Sequence, residues 1–233
     1  MKVFLVHAHP EPQSFCSALR REAEAVLPVL GHDLRVSDLY AMKFNPVASA
    51  ADFGARSNPD YLVYALEQRH NFKAGKLAPD ITEELEKLQW CDLLILNFPI
   101  FWFSTPAILK GWIDRVLVSG LCYGGLRFYD KGGLKGKRAM ITITIGGQQH
   151  MFGPDAVHGE LETLLRPLLR GTLYYTGMQV LPPFVAWHVP YISQEARVQF
   201  LADYRDRLHT LDQLVPLQFP SLDEFDQNLN PRC

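Results

Sequence analysis

Three short stretches of this sequence carry residue types whose spacing suits ligand chemistry. The first, His9-Pro10-Glu11-Pro12-Gln13-Ser14-Phe15-Cys16, brings a serine to the place where it can cap a helix. Unpaired N–H groups at a helix start, together with the helix dipole, favour a phosphate. An ordinary capped helix start has the same residues, so this stretch alone leaves both readings open. It lacks G-x-G-x-x-G and G-x-x-x-x-G-K-[ST], so a nucleotide held here would not sit in a dinucleotide Rossmann loop or an ATPase loop. The second stretch, Pro99-Ile100-Phe101-Trp102-Phe103-Ser104-Thr105, sets three aromatic residues in a row. They cannot all face one core, and those left exposed mark either a planar ligand or a subunit contact. The third, Thr144-Ile145-Gly146-Gly147, offers a hydroxyl and two residues without side chains, which lets backbone N–H groups approach a flat polar edge. Gly-Gly after a strand is also plain turn chemistry.

These loops can cooperate only if a sheet presents them at one end. Lys2 to His7 is a nearly continuous apolar run, the pattern of a central parallel strand. Ser14 then caps a helix with apolar positions from Phe15 to Leu30, which Gly31 stops. Leu34 to Leu39 reads as a second strand, and Asp80 begins a helix through Leu85 and Leu88. Leu93 to Phe98 is the strongest strand, followed by a helix with Thr105 as cap and Pro106 in its first turn. Ala139 to Thr144 is the fourth strand, before a helix through Leu161, Leu165 and Leu169 that Pro167 should kink. Val180 to Trp187 is the fifth, before a helix capped by Ser193. Five such alternations predict a doubly wound five-stranded parallel sheet with helices on both faces. In such a sheet ligands bind beyond the carboxyl ends of the strands, where the three loops follow strands one, three and four. The segment Tyr40 to Pro79, with a modest helical stretch around Leu62 to Phe72, is too long for an ordinary connection and reads as functional or interface-forming.

The 233 residues are expected to form a single domain with an irregular tail from about residue 212. Apolar residues make up 48%, enough for a sizeable core, which excludes disorder over most of the chain. With 23 Lys+Arg against 25 Asp+Glu the net charge is −2, so no surplus of positive charge points to nucleic acid. The most apolar stretch, Leu93 to Phe103, is broken by Asn97 and Pro99 and falls short of the ~20 residues of a membrane span. Cys16, Cys91, Cys122 and Cys233 show no C-x-x-C, so neither a metal site nor a disulfide framework is expected. The opening residues do not fit a signal peptide, and a cytoplasmic protein is expected.

A phosphate end, an aromatic wall and a backbone donor edge together are how a flavin would be held. From about Met1 to Leu229 the sequence resembles the NAD(P)H:quinone oxidoreductases of the DT-diaphorase type, which are flavodoxin-like FAD enzymes. The resemblance is carried by Ala8-His9 with Ser14-Phe15, by Ser37-Asp38-Leu39-Tyr40-Ala41-Met42 with Phe44-Asn45-Pro46, and by Pro106-Ala107-Ile108-Leu109-Lys110-Gly111-Trp112. Tyr129-Asp130-Lys131-Gly132, Gly146-Gly147 and His158-Gly159 add to it. It implies a flavodoxin-like fold in which His9, Ser14, Phe15 and Cys16 hold the FAD phosphates and Ile100, Phe101, Trp102 and Phe103 line the isoalloxazine. Thr144, Ile145, Gly146 and Gly147 would bond its polar edge, with Arg197 near the adenosine diphosphate end. Tyr123 and His158 match catalytic positions, at the substrate pocket and near the flavin. NAD(P)H would be the hydride donor and a quinone or similar flat molecule the acceptor. The long excursion and the clustered aromatics predict a homodimer with its site at the interface.

The sequence departs from the family in three places. The tyrosine that the family pairs with its active-site histidine is Phe152 here, a second pocket tyrosine is Gly125, and a glutamine near the flavin is Val63. Two other functions share the fold: a regulatory flavoprotein subunit of a potassium-efflux system and a flavodoxin-like electron carrier. Such carriers are strongly acidic, and a net charge of −2 argues against the second.

Overall fold

The computed structural model describes residues 1–232; Cys233 lies outside the described residues. The strands are β1 (Lys2–His7), β2 (Asp33–Asp38), β3 (Leu93–Pro99), β4 (Arg138–Thr144), β5 (Gln179–Val180) and β6 (Phe184–Ala186). All pairings are parallel, in the order β2-β1-β3-β4-β5, and β6 also pairs with β4. The fifth position, expected as one strand from Val180 to Trp187, is thus two short pieces. Pro182 and Pro183 separate them, because a residue without an N–H cannot hold its place in a ladder. The tail crosses this break, with Leu217 N–H donating to the Val180 carbonyl at 2.8 Å.

Helices α1 (Phe15–Val29) and α6 (Gln194–His209) cover one face of the sheet. On the other lie α3 (Pro79–Trp90), α4 (Ala107–Val116) and α5 (Leu161–Leu168), with α2 (Tyr64–Ala74) on the rim. All seven residues of β3 are buried, and Val3 to Val6 are fully so, which is why these two strands read as strongly apolar, with Asn97 the one polar side chain in β3. Thr105 does not cap α4 as expected. Pro106 occupies the cap with extended backbone, and no side chain accepts a bond there. Beyond Pro167 the chain continues as a π-helical stretch, Leu169–Tyr174.

A buried ionic network seats the excursion between β2 and α3. Arg115, 2% exposed, bonds both carboxylate oxygens of Asp52, donates to the Asn45 carbonyl at 2.8 Å and pairs with Asp80. Asp52 also accepts from the Tyr64 hydroxyl and the Ser49 N–H. Gly111 completes the fit, since a Cβ there would lie 2.1 Å from the Pro46 carbonyl oxygen.

Candidate active site

The order β2-β1-β3 reverses direction between β1 and β3, and the three candidate loops open at the carboxyl ends of the strands around that point. The loop after β1 is tied down from below. Ala8 N–H donates to the Asn97 carbonyl at 2.9 Å, while the Asn97 side chain donates to the Cys16 carbonyl and accepts from its thiol. Asn97 therefore belongs to the site's frame, and the one polar side chain in the most apolar strand was its signal. Cys16 is buried, and burial pushes its thiol far up, so it offers the site a backbone N–H and no nucleophile.

Ser14 caps α1 as expected, its Oγ accepting the Ser17 N–H at 3.1 Å. That leaves the N–H groups of Phe15 and Cys16 without a partner among the described residues. They border a cleft of about 430 Å³ with His9, Thr144, Gly146 and Arg197 on its walls. Arg197 comes from the first turn of α6, its guanidinium 5.7 Å from the Phe15 ring centre and bonded to the Pro190 carbonyl. His9 is half-buried, which lowers its pKa, and its Nδ1 accepts from the Glu11 N–H.

Beneath the loop, His7 sits at the end of β1, 1% exposed. Its Nε2 lies 3.1 Å from Ser17 Oγ, and its Nδ1 is buried with no partner. Burial pushes its pKa down to about 4; Asp38 opposes that, while Arg20 and His9 add to it. The folded protein thus binds this proton less readily than the unfolded chain, whose histidine titrates near 6.5. The resulting stability is fully present above that pH and is lost as pH falls toward 4, about 3 kcal/mol in all. His7→Leu should show a correspondingly flatter loss of stability over this range. Urea midpoints measured from pH 7 to pH 4 check it, and parallel curves for the two proteins would contradict it.

The aromatic loop is a tight turn. Phe101 and Ser104 exchange both backbone hydrogen bonds, and the residues between them, Trp102 and Phe103, have φ of 52° and 56°. Two left-handed residues in succession are normally asparagine and glycine, and each bulky side chain placed there costs on the order of 1–3 kcal/mol. The turn leaves Trp102 97% exposed. Exposed rings on a strained turn are what a planar ligand or a subunit contact would need.

A second pocket, about 230 Å³, lies behind this turn, walled by Trp102, Phe103, Ile145, Gly147, Phe152 and His158. The His158 ring centre is 5.3 Å from that of Phe103 and 5.0 Å from that of Phe152. Its backbone N–H donates to the Met151 carbonyl, and its ring nitrogens have no partner among the described residues. A Cβ on Gly147 would stand 3.0 Å from the Phe152 ring, tight enough that a larger residue would push the ring back. The N–H groups of Gly146 and Gly147 also have no partner among the described residues.

Ile100, shared by both pockets, joins them. Every candidate residue lines one or both, with one exception. Tyr123 opens instead on a third pocket of about 160 Å³ with Asp114, Thr172 and Tyr175. Burial raises the pKa of its hydroxyl, and its ring lies 5.7 Å from that of Tyr175. Val189 and Pro190 on the cleft wall carry no local sequence signal, and the Leu161, Leu164 and Leu165 floor of the second pocket was not readable either, because helical periodicity marks those leucines only as core.

A family model described as flavodoxin-like fold matches residues 1–208. Ribosyldihydronicotinamide dehydrogenase [quinone] of Mus musculus is 43% identical over 217 residues, 93% of this chain and 94% of its own. NAD(P)H dehydrogenase [quinone] 1 of Rattus norvegicus is 39% identical over 228 residues, 97% of this chain and 83% of its own. A crystal structure from Klebsiella pneumoniae, solved as that of a candidate quinone reductase, superposes with a TM-score of 0.96 at 37% identity and covers 100% of this chain and 94% of that one.

Proposed function

Because the chain belongs to the family of flavodoxin-like fold that also holds the quinone-reducing NAD(P)H dehydrogenases, we propose that it is a FAD-dependent NAD(P)H:quinone oxidoreductase working by a ping-pong cycle. The observation that carries this reading is the pair of unpartnered donor groups, Phe15 and Cys16 at one end and Gly146 and Gly147 at the other, with the aromatic turn between them. A bound flavin supplies hydride transfer, from NAD(P)H to a quinone or similar flat acceptor.

The chain's own groups hold and orient. Ser14 and the N–H groups of Phe15 and Cys16 face the diphosphate with the positive end of α1, and His9 closes that side. Arg197 meets the adenosine diphosphate end. Ile100, Phe101, Trp102 and Phe103 line the ring, while Thr144, Ile145, Gly146 and Gly147 present donors to its polar edge. His158, whose ring nitrogens have no partner among the described residues, completes the donor set against charge that develops in the second pocket.

The cofactor released from the purified protein by heat should chromatograph as FAD. FMN alone would overturn the choice of cofactor and the role of Arg197 first.

The active form is a homodimer in the cytoplasm. Tyr123 does not share a pocket with His158 within one chain, and the outward Trp102 needs cover. Both are met if a second copy completes each site. Light scattering at micromolar concentration should give twice the chain mass, and a fully active monomer would sink this part of the reading.

A further inference from the structure

His188 follows β6 and contributes to neither the cleft nor the second pocket, yet it grips the loop that joins them. Its backbone N–H donates to the Gly147 carbonyl at 2.9 Å. Its ring Nδ1 lies 3.0 Å from the Gly146 carbonyl oxygen. A carbonyl only accepts, so Nδ1 carries the proton, and Nε2 is left to accept from the Gln148 amide at 3.4 Å. All this is built on a residue with φ of 60°, a conformation that costs a histidine free energy and would cost a glycine none.

The Gly146 carbonyl and the Gly147 N–H belong to one peptide group. The carbonyl accepts a hydrogen bond from the His188 Nδ1–H, and the N–H has no partner among the described residues and borders the pocket of His158. A hydrogen bond accepted at one end of an amide polarises the other, strengthening the N–H as a donor. We infer that His188 is a positioning residue that orients and polarises the Gly146–Gly147 peptide as a donor to the flavin edge. The inference rests on the flavin reading above. A stronger N–H favours the more electron-rich, reduced flavin over the oxidised one, so His188 sets the balance between the two forms.

His188→Gly keeps the backbone N–H, suits the left-handed backbone and removes only the imidazole. His188→Asn tolerates the same backbone and returns an N–H close to the place of Nδ1. Two quantities are measured on each flavin-loaded protein: the dissociation constant of oxidised flavin by fluorescence, and the two-electron reduction potential by dye equilibration. In His188→Gly the preference for reduced flavin should fall about fivefold, which lowers the potential by about 20 mV, while oxidised flavin binds within about twofold of the parent. His188→Asn should recover most of the potential. A His188→Gly potential equal to the parent's, or both forms weakened alike, would make His188 a loop anchor and overturn the inference alone. Protein that takes up no flavin in any version would overturn the functional reading and the inference with it.

Discussion

Replacing His158 with glutamine should slow the bleaching of bound flavin by NAD(P)H about a hundredfold, with flavin content close to the parent's. The second pocket is nearly apolar, and Phe152 brings a ring but no hydroxyl to it. When flavin reduction brings negative charge into this space, the donors at hand are His158 and the N–H groups of Gly146 and Gly147. Loss of one preorganised donor at a developing charge costs about 3 kcal/mol. Flavin content should hold because the phosphate end at Ser14 lies outside this pocket. Phe152→Tyr supplies a hydroxyl beside His158 and should leave the rate equal or faster, provided the ring keeps its 5.0 Å contact with the imidazole. Stopped-flow absorbance reads both variants. A His158→Gln protein reduced at the parent rate would return this histidine to a packing role between Phe103 and Phe152.

Arg115→Met should cost about 3–5 kcal/mol of folding stability, because it leaves Asp52 buried without its cation. Burial by itself would raise the pKa of Asp52. Bonds from Arg115, Tyr64 and the Ser49 N–H together outweigh burial and hold the carboxyl below the usual range. Removing the guanidinium removes the largest of these supports. The double variant Asp52→Leu with Arg115→Met should recover much of the loss, since an apolar pair leaves no charge buried. Guanidinium unfolding of the three proteins gives the comparison. Limited proteolysis within 44–80 should show the single variant cut fastest, because the network pins that excursion to α4. Equal stability of Arg115→Met and the parent would mean that the network contributes little.

The fold was legible wherever burial on both faces forces a strongly apolar run, as in β1 and β3, and wherever a side chain must cap, as at Ser14 and Ser193. The aromatic loop was legible as exposed, since three rings in a row cannot share a core. Its left-handed turn was not, because nothing about Trp102 or Phe103 favours positive φ. Thr105 fits the usual cap chemistry, and only the extended backbone at Pro106 displaces it. The Arg115–Asp52 pair joins residues 63 apart in the chain, a long-range contact that no local pattern carries. His188 had no signal for a similar reason: its partners, Gly146 and Gly147, lie about forty positions upstream.

The break in the fifth strand bears on how copies of this protein can and cannot associate. An open sheet has two edges, and an edge with free N–H and C=O groups is a template for another chain's strand. Here Pro182 and Pro183 interrupt one edge, and Leu217 takes the Val180 carbonyl beside them. The opposite edge, β2, is six residues long and mostly polar, with Asp33, Arg35, Ser37 and Asp38. Neither edge offers a long apolar strand for another copy to extend. Association between folded copies is therefore directed to their side-chain surfaces and away from the open-ended stacking of sheets that leads to fibres.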